Sequence, residues 1–250
     1  LEALMLKKLS WLLLSVVCYQ TPLNAVIYET TNVNDMIQHS DERTLVICDL
    51  DNTLIEPRQL IGSDQWFCYE IQRRVNAGES SKQACANTIP IYNTIQKITQ
   101  VNLIDNQAPE VIKELKKYSA RVISLTARNY ELIAATQRQL KSVGIDFNSQ
   151  EAPQMQLLEN DGSIINHNNI SYLNGQNKGV YLTKYLELNS LDFDKVVFID
   201  DKRKNLEAVE SVVENLGKTF IGLRYAALDE KVKSLDPNIA SIQIEIFNSL

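Results

Sequence analysis

Histidine is nearly missing from this chain: 250 residues contain two, His39 and His167. A His-based metal centre or a Ser–His hydrolase has almost nothing to be built from. Neither histidine has a partner motif, and both read as structural or surface residues. Cysteine is also scarce, and four are too few for a disulfide-supported scaffold. With only eight glycines and six prolines, a collagenous chain or a Pro-rich linker is excluded. Positive charge is in deficit. The 25 Lys+Arg against 31 Asp+Glu give a net charge of −6, so the basic face that holds a nucleic-acid polymer is not expected. No apolar run approaches the roughly 20 residues that cross a bilayer.

What is present is ordinary in bulk and informative in detail. Apolar residues at 44% and charged residues at 22% describe a soluble globular protein, and the length allows one large domain or two small ones. The densest apolar block lies at the start. Lys7 and Lys8 precede Leu9–Tyr19, eleven residues that suit the hydrophobic region of an export signal and are too short to span. Small Ala25 suits cleavage after it, so residues 1–25 are expected to be a signal peptide and 26–250 an exported chain with no membrane span. Beyond that block, Cys68 and Cys85 could pair if the chain breaks near Gly78 and folds back as two short helices. Cys48 sits in an apolar run and reads as core.

Four runs rich in β-branched residues, Thr44–Asp49, Arg121–Thr126, Lys195–Asp200 and Thr219–Arg224, are apolar almost throughout. That is the pattern of strands buried on both faces of a parallel sheet. Helical spacing lies between them: Pro109 at a first-turn position followed by Val111, Ile112, Leu115 and Tyr118; Tyr130–Ser142 closed by Gly144; Leu206, Val209, Val213 and Leu216 closed by Gly217. Alternating strands and helices predict a three-layer α/β/α, Rossmann-like core with a parallel sheet. Pro153–Gly175 reads as a β-hairpin turning at Asn160–Asp161–Gly162.

Chemistry gathers where the strands end. The first run finishes in Asp49–Leu50–Asp51, the second in Thr126–Ala127–Arg128, the third in Asp200–Asp201. Ligands of open α/β sheets bind beyond the carboxyl ends of the strands. Lys178, opening a helix ahead of the third run, could reach the same edge. Alone, each feature is a common turn former or solvated charge. Together they bring four carboxylates to one edge, where they would repel one another without a cation, and an oxygen-rich, His-poor set suits Mg²⁺.

With these residues in view, the chain resembles the haloacid dehalogenase superfamily. VICDLDNTL (Val46–Leu54) is similar to its first motif, VISLT (Val122–Thr126) to the second, Lys178 to the third and VVFIDD (Val196–Asp201) to the fourth. They occur in that order across roughly residues 42–225. DNTLIEP (Asp51–Pro57) with GSDQWF (Gly62–Phe67) also looks like a group of such proteins from bacterial pathogens, and class C-type secreted acid phosphatases are a more distant comparison. The resemblance implies a phosphatase in which Asp49 is the nucleophile, forming an aspartyl-phosphate, and Asp51 the general acid/base. A carboxylate meeting a phosphate is repelled by about 4 kcal/mol per charge pair at 4 Å and an effective dielectric of 20. Mg²⁺ held by Asp49, Asp200 and the backbone carbonyl of Asp51, with Asp201 direct or through water, would offset this. Lys178 and the Thr126 hydroxyl would bind the phosphoryl group, Ser124 being a competing hydroxyl two residues inside the strand. Arg128 either contacts the substrate phosphate or braces the loop through an ion pair. Asn52 and Thr53 are expected to shape the turn.

Between Asp51 and Thr126 there is more chain than a loop and a helix require. The surplus, about 56–105, carries Trp66, Phe67 and Tyr69 and then Ile91, Ile95 and Ile98 at helical spacing. The resemblance makes this a small helical cap insertion, its aromatics mostly packing its own helices, with Ser63 or Asp64 as a helix cap. The expected activity is exported, Mg²⁺-dependent hydrolysis of a small-molecule or protein phosphomonoester. Two alternatives are a glycosyltransferase DxD site, which leaves Lys178 and Asp200–Asp201 without a role, and an effector or binding protein of this fold with little turnover.

Overall fold

The computed structural model describes residues 25–148, 155–157 and 164–249. The expected signal peptide, and the turn expected at Asn160–Asp161–Gly162, lie outside the described residues, except for Ala25. In chain order the elements are β1 (Ala25–Thr30), α1 (Asp35–His39), β2 (Thr44–Cys48), β3 (Ile55–Pro57), α2 (Asp64–Asn76), α3 (Ser81–Gln96), β4 (Val101–Leu103), α4 (Ala108–Tyr118) and β5 (Arg121–Thr126). A 3₁₀ turn at Tyr130–Leu132 then leads into α5 (Ile133–Ser142), followed by β6 (Met155–Leu157), β7 (Ile164–His167), β8 (Ile170–Tyr172), α6 (Lys178–Leu188) and β9 (Lys195–Asp200). The chain closes with α7 (Arg203–Asn215), β10 (Thr219–Tyr225), α8 (Asp229–Lys233) and α9 (Pro237–Asn248).

Among the described residues the main sheet runs β1-β10-β9-β2-β5-β8-β7-β6. It is parallel from β1 through β8, and the last two pairings are antiparallel. Strand β2 lies between β9 and β5, with Val46 opposite both Val197 and Val122. Period-2 geometry sends alternate side chains to opposite faces. Val46, Cys48 and Ile199 meet Ile112 and Leu115 of α4 on one face; Leu45, Ile47 and Phe198 meet Leu182 and Val209 of α6 and α7 on the other. Burial on both faces is why these strands are continuously apolar. The fold is therefore the expected α/β/α, Rossmann-like core.

Between β2 and β5 the chain leaves the sheet. Strands β3 and β4 pair antiparallel, Ile55 opposite Leu103, and carry the α2–α3 helical hairpin. Ser63 caps α2 by accepting from the Trp66 N–H at 3.2 Å, and Ser80 and Gln83 form a reciprocal capping box on α3. Trp66, Ile61 and Ile95 form a small core of their own, completed by Ala240 and Phe247 of α9. The Gln243 side chain accepts from the N–H groups of both Leu60 and Ile61 (2.9 and 3.1 Å). The C-terminal helix is thus packed on the inserted hairpin rather than on the sheet.

Several details depart from expectation. Ile91 and Ile95 belong to α3, but Ile98 lies beyond it and is exposed. Cys68 on α2 and Cys85 on α3 are both free thiols, so the two-helix break forms without a bridge; Cys48 is buried core. Besides the expected hairpin of β6 and β7, a second joins β7 to β8. Its turn residues Asn168 and Asn169 adopt φ of 56° and 60°, the left-handed conformation a two-residue hairpin loop needs. No helix among the described residues is long and apolar enough to cross a membrane.

Candidate active site

The carboxyl ends of β2, β5 and β9 open into a cavity of about 180 Å³. Asp49, Asp51, Lys178, Arg128 and Asp201 line it on the core side, and Phe67 and Tyr92 of the inserted hairpin line it opposite. Phe67 packs edge-on against Tyr92 at 5.2 Å between ring centroids. Trp66, one residue earlier, is buried in the hairpin core as expected of a packing aromatic.

Asp49 follows β2 directly, and its N–H continues the sheet by donating to the Ile199 carbonyl at 3.0 Å. Leu50 then starts a tight turn, in which Asn52 takes φ of 60° and donates its N–H to the Ile55 carbonyl. Asparagine tolerates that conformation better than most residues. Thr53 does more than shape the turn. Its buried hydroxyl donates to Asp49 Oδ2 (3.3 Å) and accepts from the Asp201 N–H (3.0 Å), tying the ends of β2 and β9 together.

Lys178 is the electrostatic centre. Its Nζ lies 2.6 Å from Asp49 Oδ1 and 2.6 Å from Asp200 Oδ2, with all three groups buried. Burial alone would lower the lysine pKa, but Asp200 and Asp49 outweigh it and hold the ammonium above its ordinary value. Its backbone position depends on the next residue. A Cβ on Gly179 would stand 2.1 Å from the Ala208 carbonyl oxygen, so glycine is what lets α6 approach α7 this closely. Asn177 caps α6, accepting from the N–H groups of Gly179 and Val180.

Asp49, Asp200 and Asp201 each offer a carboxylate oxygen within 4.8 Å of the others. Burial pushes the Asp49 carboxyl up to about 7; Lys178 opposes this and Asp200 adds to it. Asp201, also raised first by burial and then by Asp49, reaches about 8. Asp49 and Asp201 therefore hold protons more tightly than free carboxylates do. The cluster is a donor set for a hard divalent cation, all oxygen and anionic in excess, and it fits Mg²⁺. The Asp51 side chain is outside the cluster. Both its oxygens accept from Arg128, Nε to Oδ2 and Nη2 to Oδ1, each at 2.8 Å. Arg128 Nη1 is engaged as well, donating to Thr136 Oγ1 and Gln139 Oε1.

The Thr126 hydroxyl is buried at the end of β5 and accepts from the Arg128 N–H at 3.3 Å, while Ser124 is enclosed within the strand. Three site residues were not evident in the sequence. Asn205, in the first turn of α7, donates to both oxygens of Asp200 at 2.9 and 3.0 Å. Lys202, directly after the Asp pair, reaches across to Asp64 on α2 at 2.8 Å and so joins the core to the inserted hairpin. A polar residue just past a strand-end Asp was the available signal for Asn205 and Lys202. Asp64 had none beyond its place at a helix start.

A family model described as "Protein of unknown function (DUF2608)" matches residues 27–250, nearly all of the described chain. The chain belongs to this family. Among relatives, it is 24% identical to a Chlamydia pneumoniae protein named as a proposed outer membrane protein, over 89% of this chain and 85% of that one. An uncharacterized protein of Rickettsia prowazekii is 24% identical, with 97% and 93% covered. Of solved structures, the chain is similar to the HAD domain of effector protein Lem4 from Legionella pneumophila, with a TM-score of 0.41 and 12% identity over 74% of this chain and 88% of that one. It is also similar to a haloacid dehalogenase-like family hydrolase from Streptococcus pneumoniae, with a TM-score of 0.40 and 14% identity over 72% and 94%.

Proposed function

We propose that this protein is an exported, Mg²⁺-dependent phosphomonoester hydrolase of the haloacid dehalogenase type. The observation that carries the reading is the Asp49–Lys178–Asp200 constellation at the base of the cavity, with Asp201 within ligand distance and Asp51 on the wall. Three segments that resemble the superfamily's first, third and fourth motifs supply these groups, from the ends of two strands and the start of a helix.

In the proposed reaction an Asp49 carboxylate oxygen bonds to phosphorus as the bond to the leaving oxygen breaks. Asp51 gives that oxygen a proton. Water then loses a proton to Asp51 and attacks phosphorus, the bond to Asp49 breaks, and phosphate leaves. Lys178 neutralises the approaching phosphoryl charge, the Thr126 hydroxyl, which accepts from the Arg128 N–H, donates to a phosphoryl oxygen, and the Arg128 fork fixes the plane of the Asp51 carboxylate. Asp49, Asp200 and Asp201, with the Asp51 carbonyl that the resemblance implies, would hold Mg²⁺, which supplies the positive charge that lets a phosphate approach these carboxylates.

Export is supported by the leader-like residues 1–25 and by relatives named as outer membrane proteins. The acidic chain favours small-molecule or protein phosphomonoesters over nucleic-acid polymers. Turnover of p-nitrophenyl phosphate should require Mg²⁺, stop with EDTA and be abolished by Asp49→Asn. Activity that survives EDTA or the substitution refutes the mechanism, and no turnover on a broad phosphoester panel favours the effector or binding-protein reading.

A further inference from the structure

Two glutamines are buried where a core normally excludes them: Gln139 on α5 and Gln96 at the end of α3. A buried amide is tolerated only when its polar atoms are paired. Here the pairing is directional and runs from Asp51 to the inserted hairpin. Gln139 Oε1 accepts from Arg128 Nη1 at 2.6 Å, while its Nε2 donates to Gln96 Oε1 at 2.9 Å and to the Thr99 carbonyl at 3.3 Å. Gln96 Nε2 donates in turn to the Gly62 carbonyl at 2.6 Å. Gly62 lies where the chain enters α2, and Gln96–Thr99 where it leaves α3. The neighbouring Arg138 donates to the carbonyls of Lys97 and Thr99, at 2.6 and 3.1 Å, and clasps the same exit.

Each amide has one acceptor oxygen and one donor nitrogen, so every link fixes the orientation of the next. With Asp51 held at the far end by both its oxygens, displacement of either hairpin crossing would release Gln139 and then the Arg128 fork. We propose that Gln139 and Gln96 are positioning residues that tie the orientation of Asp51 to the seating of the α2–α3 hairpin on the core. The proposal rests on the reading of Asp51 as the acid/base. Its chemical consequence is selective. A misplaced acid impairs departure of a poor leaving group, while p-nitrophenolate departs without much help.

The test compares kcat/KM for p-nitrophenyl phosphate and for an alkyl phosphate, glycerol 2-phosphate, in Gln139→Leu and Gln139→Glu. The second variant keeps the acceptor for Arg128 but has no donor for Gln96. Both should lose about tenfold more on the alkyl substrate, a part of the 10²–10⁴-fold that a positioned acid–base group contributes. Equal losses on the two substrates, or a Gln139→Glu enzyme that matches wild type, overturn the proposal. Hydrogen exchange supplies a readout without turnover: Gln139→Leu should raise exchange together at 50–55, 60–66 and 96–99. A rise confined to α5 overturns the coupling even if the wild type hydrolyses no phosphoester, a result that would by itself sink only the catalytic reading. If Gln139→Leu does not fold, Gln96→Met is measured in the same way.

Discussion

Replacing Lys178 by Met removes the ammonium that bridges Asp49 and Asp200 and keeps nearly the same side-chain volume. Lys178 contacts Asp49 and Asp200 at 2.6 Å each, and both residues are buried. Removing one partner of a buried ion pair leaves an uncompensated charge and costs about 3–5 kcal/mol. At roughly 2–4 °C per kcal/mol for a domain of this size, the melting temperature should fall by about 6–20 °C. The loss should also depend on pH. Asp49 in the wild type titrates at about 7, and without the lysine its pKa moves higher. Below 7 both proteins carry a protonated Asp49 and this group adds nothing to their difference. Above 7 the wild type releases the proton while the variant retains it, so the folded variant binds more protons and loses stability relative to wild type as pH rises. For one carboxyl that slope is at most about 1.4 kcal/mol per pH unit. Guanidinium unfolding in EDTA at pH 6 and pH 8.5 measures it. A variant within about 1 kcal/mol of wild type at pH 8.5, or one that loses more at pH 6, would refute the electrostatic account of Lys178.

Three further outcomes follow from the same geometry. Gly179→Ala drives a Cβ into the Ala208 carbonyl, where both atoms are backbone-anchored, and should destabilise the fold by about 1–3 kcal/mol in urea titrations; a neutral change would show that α6 and α7 are not in close contact. Mg²⁺ should raise the melting temperature more at pH 8.5 than at pH 6, because protons on Asp49 and Asp201, with pKa values of about 7 and about 8, compete with it, and Asp201→Asn should shrink the shift. Iodoacetamide should label exposed Cys68 in the native protein and reach buried Cys48 only on unfolding, as read by peptide mass spectrometry; native labelling of Cys48 would contradict its place in β2.

The sheet core was legible because its strands are buried on both faces, which forces an apolar, β-branched composition that no other local structure demands. The runs at 44–49, 121–126 and 195–200 were recovered within a residue of β2, β5 and β9. Strand β1 is an edge strand, half exposed, and its mixed AVIYET sequence carries no such constraint. Helix α9 carries no clear sequence signal for a related reason. Its buried partner is the inserted hairpin, so Ala240 and Phe247 face one surface while Ile239, Ile242 and Ile246 are left outside, and the apolar stripe has no clean period.

For the site, the division falls between groups fixed by local geometry and groups fixed by distant partners. A strand end determines where its next residue points, so Asp49, Thr126 and Asp200 could be placed at one edge from three short segments, and Lys178 from the start of a helix. Arg128 shows where this stops. Its position after β5 was readable, but its role depends on whether Asp51, 77 residues earlier, and Gln139, on another helix, present acceptors at the right angles. Local pattern therefore places Arg128 at the edge without showing its ion pair with Asp51. The same holds for Lys202 and Asp64, and for Gln139 and Gln96. These long-range polar pairs have no sequence period to announce them, yet they join the sheet edge to the hairpin that lies over it. What local pattern reveals is the chemistry of the cavity floor; what it leaves out is the polar framework that sets the position of the opposite wall. On the proposed hydrolase reading, variants of that framework are therefore expected to change how the site discriminates among phosphoesters, whereas variants of the floor abolish the chemistry for all of them.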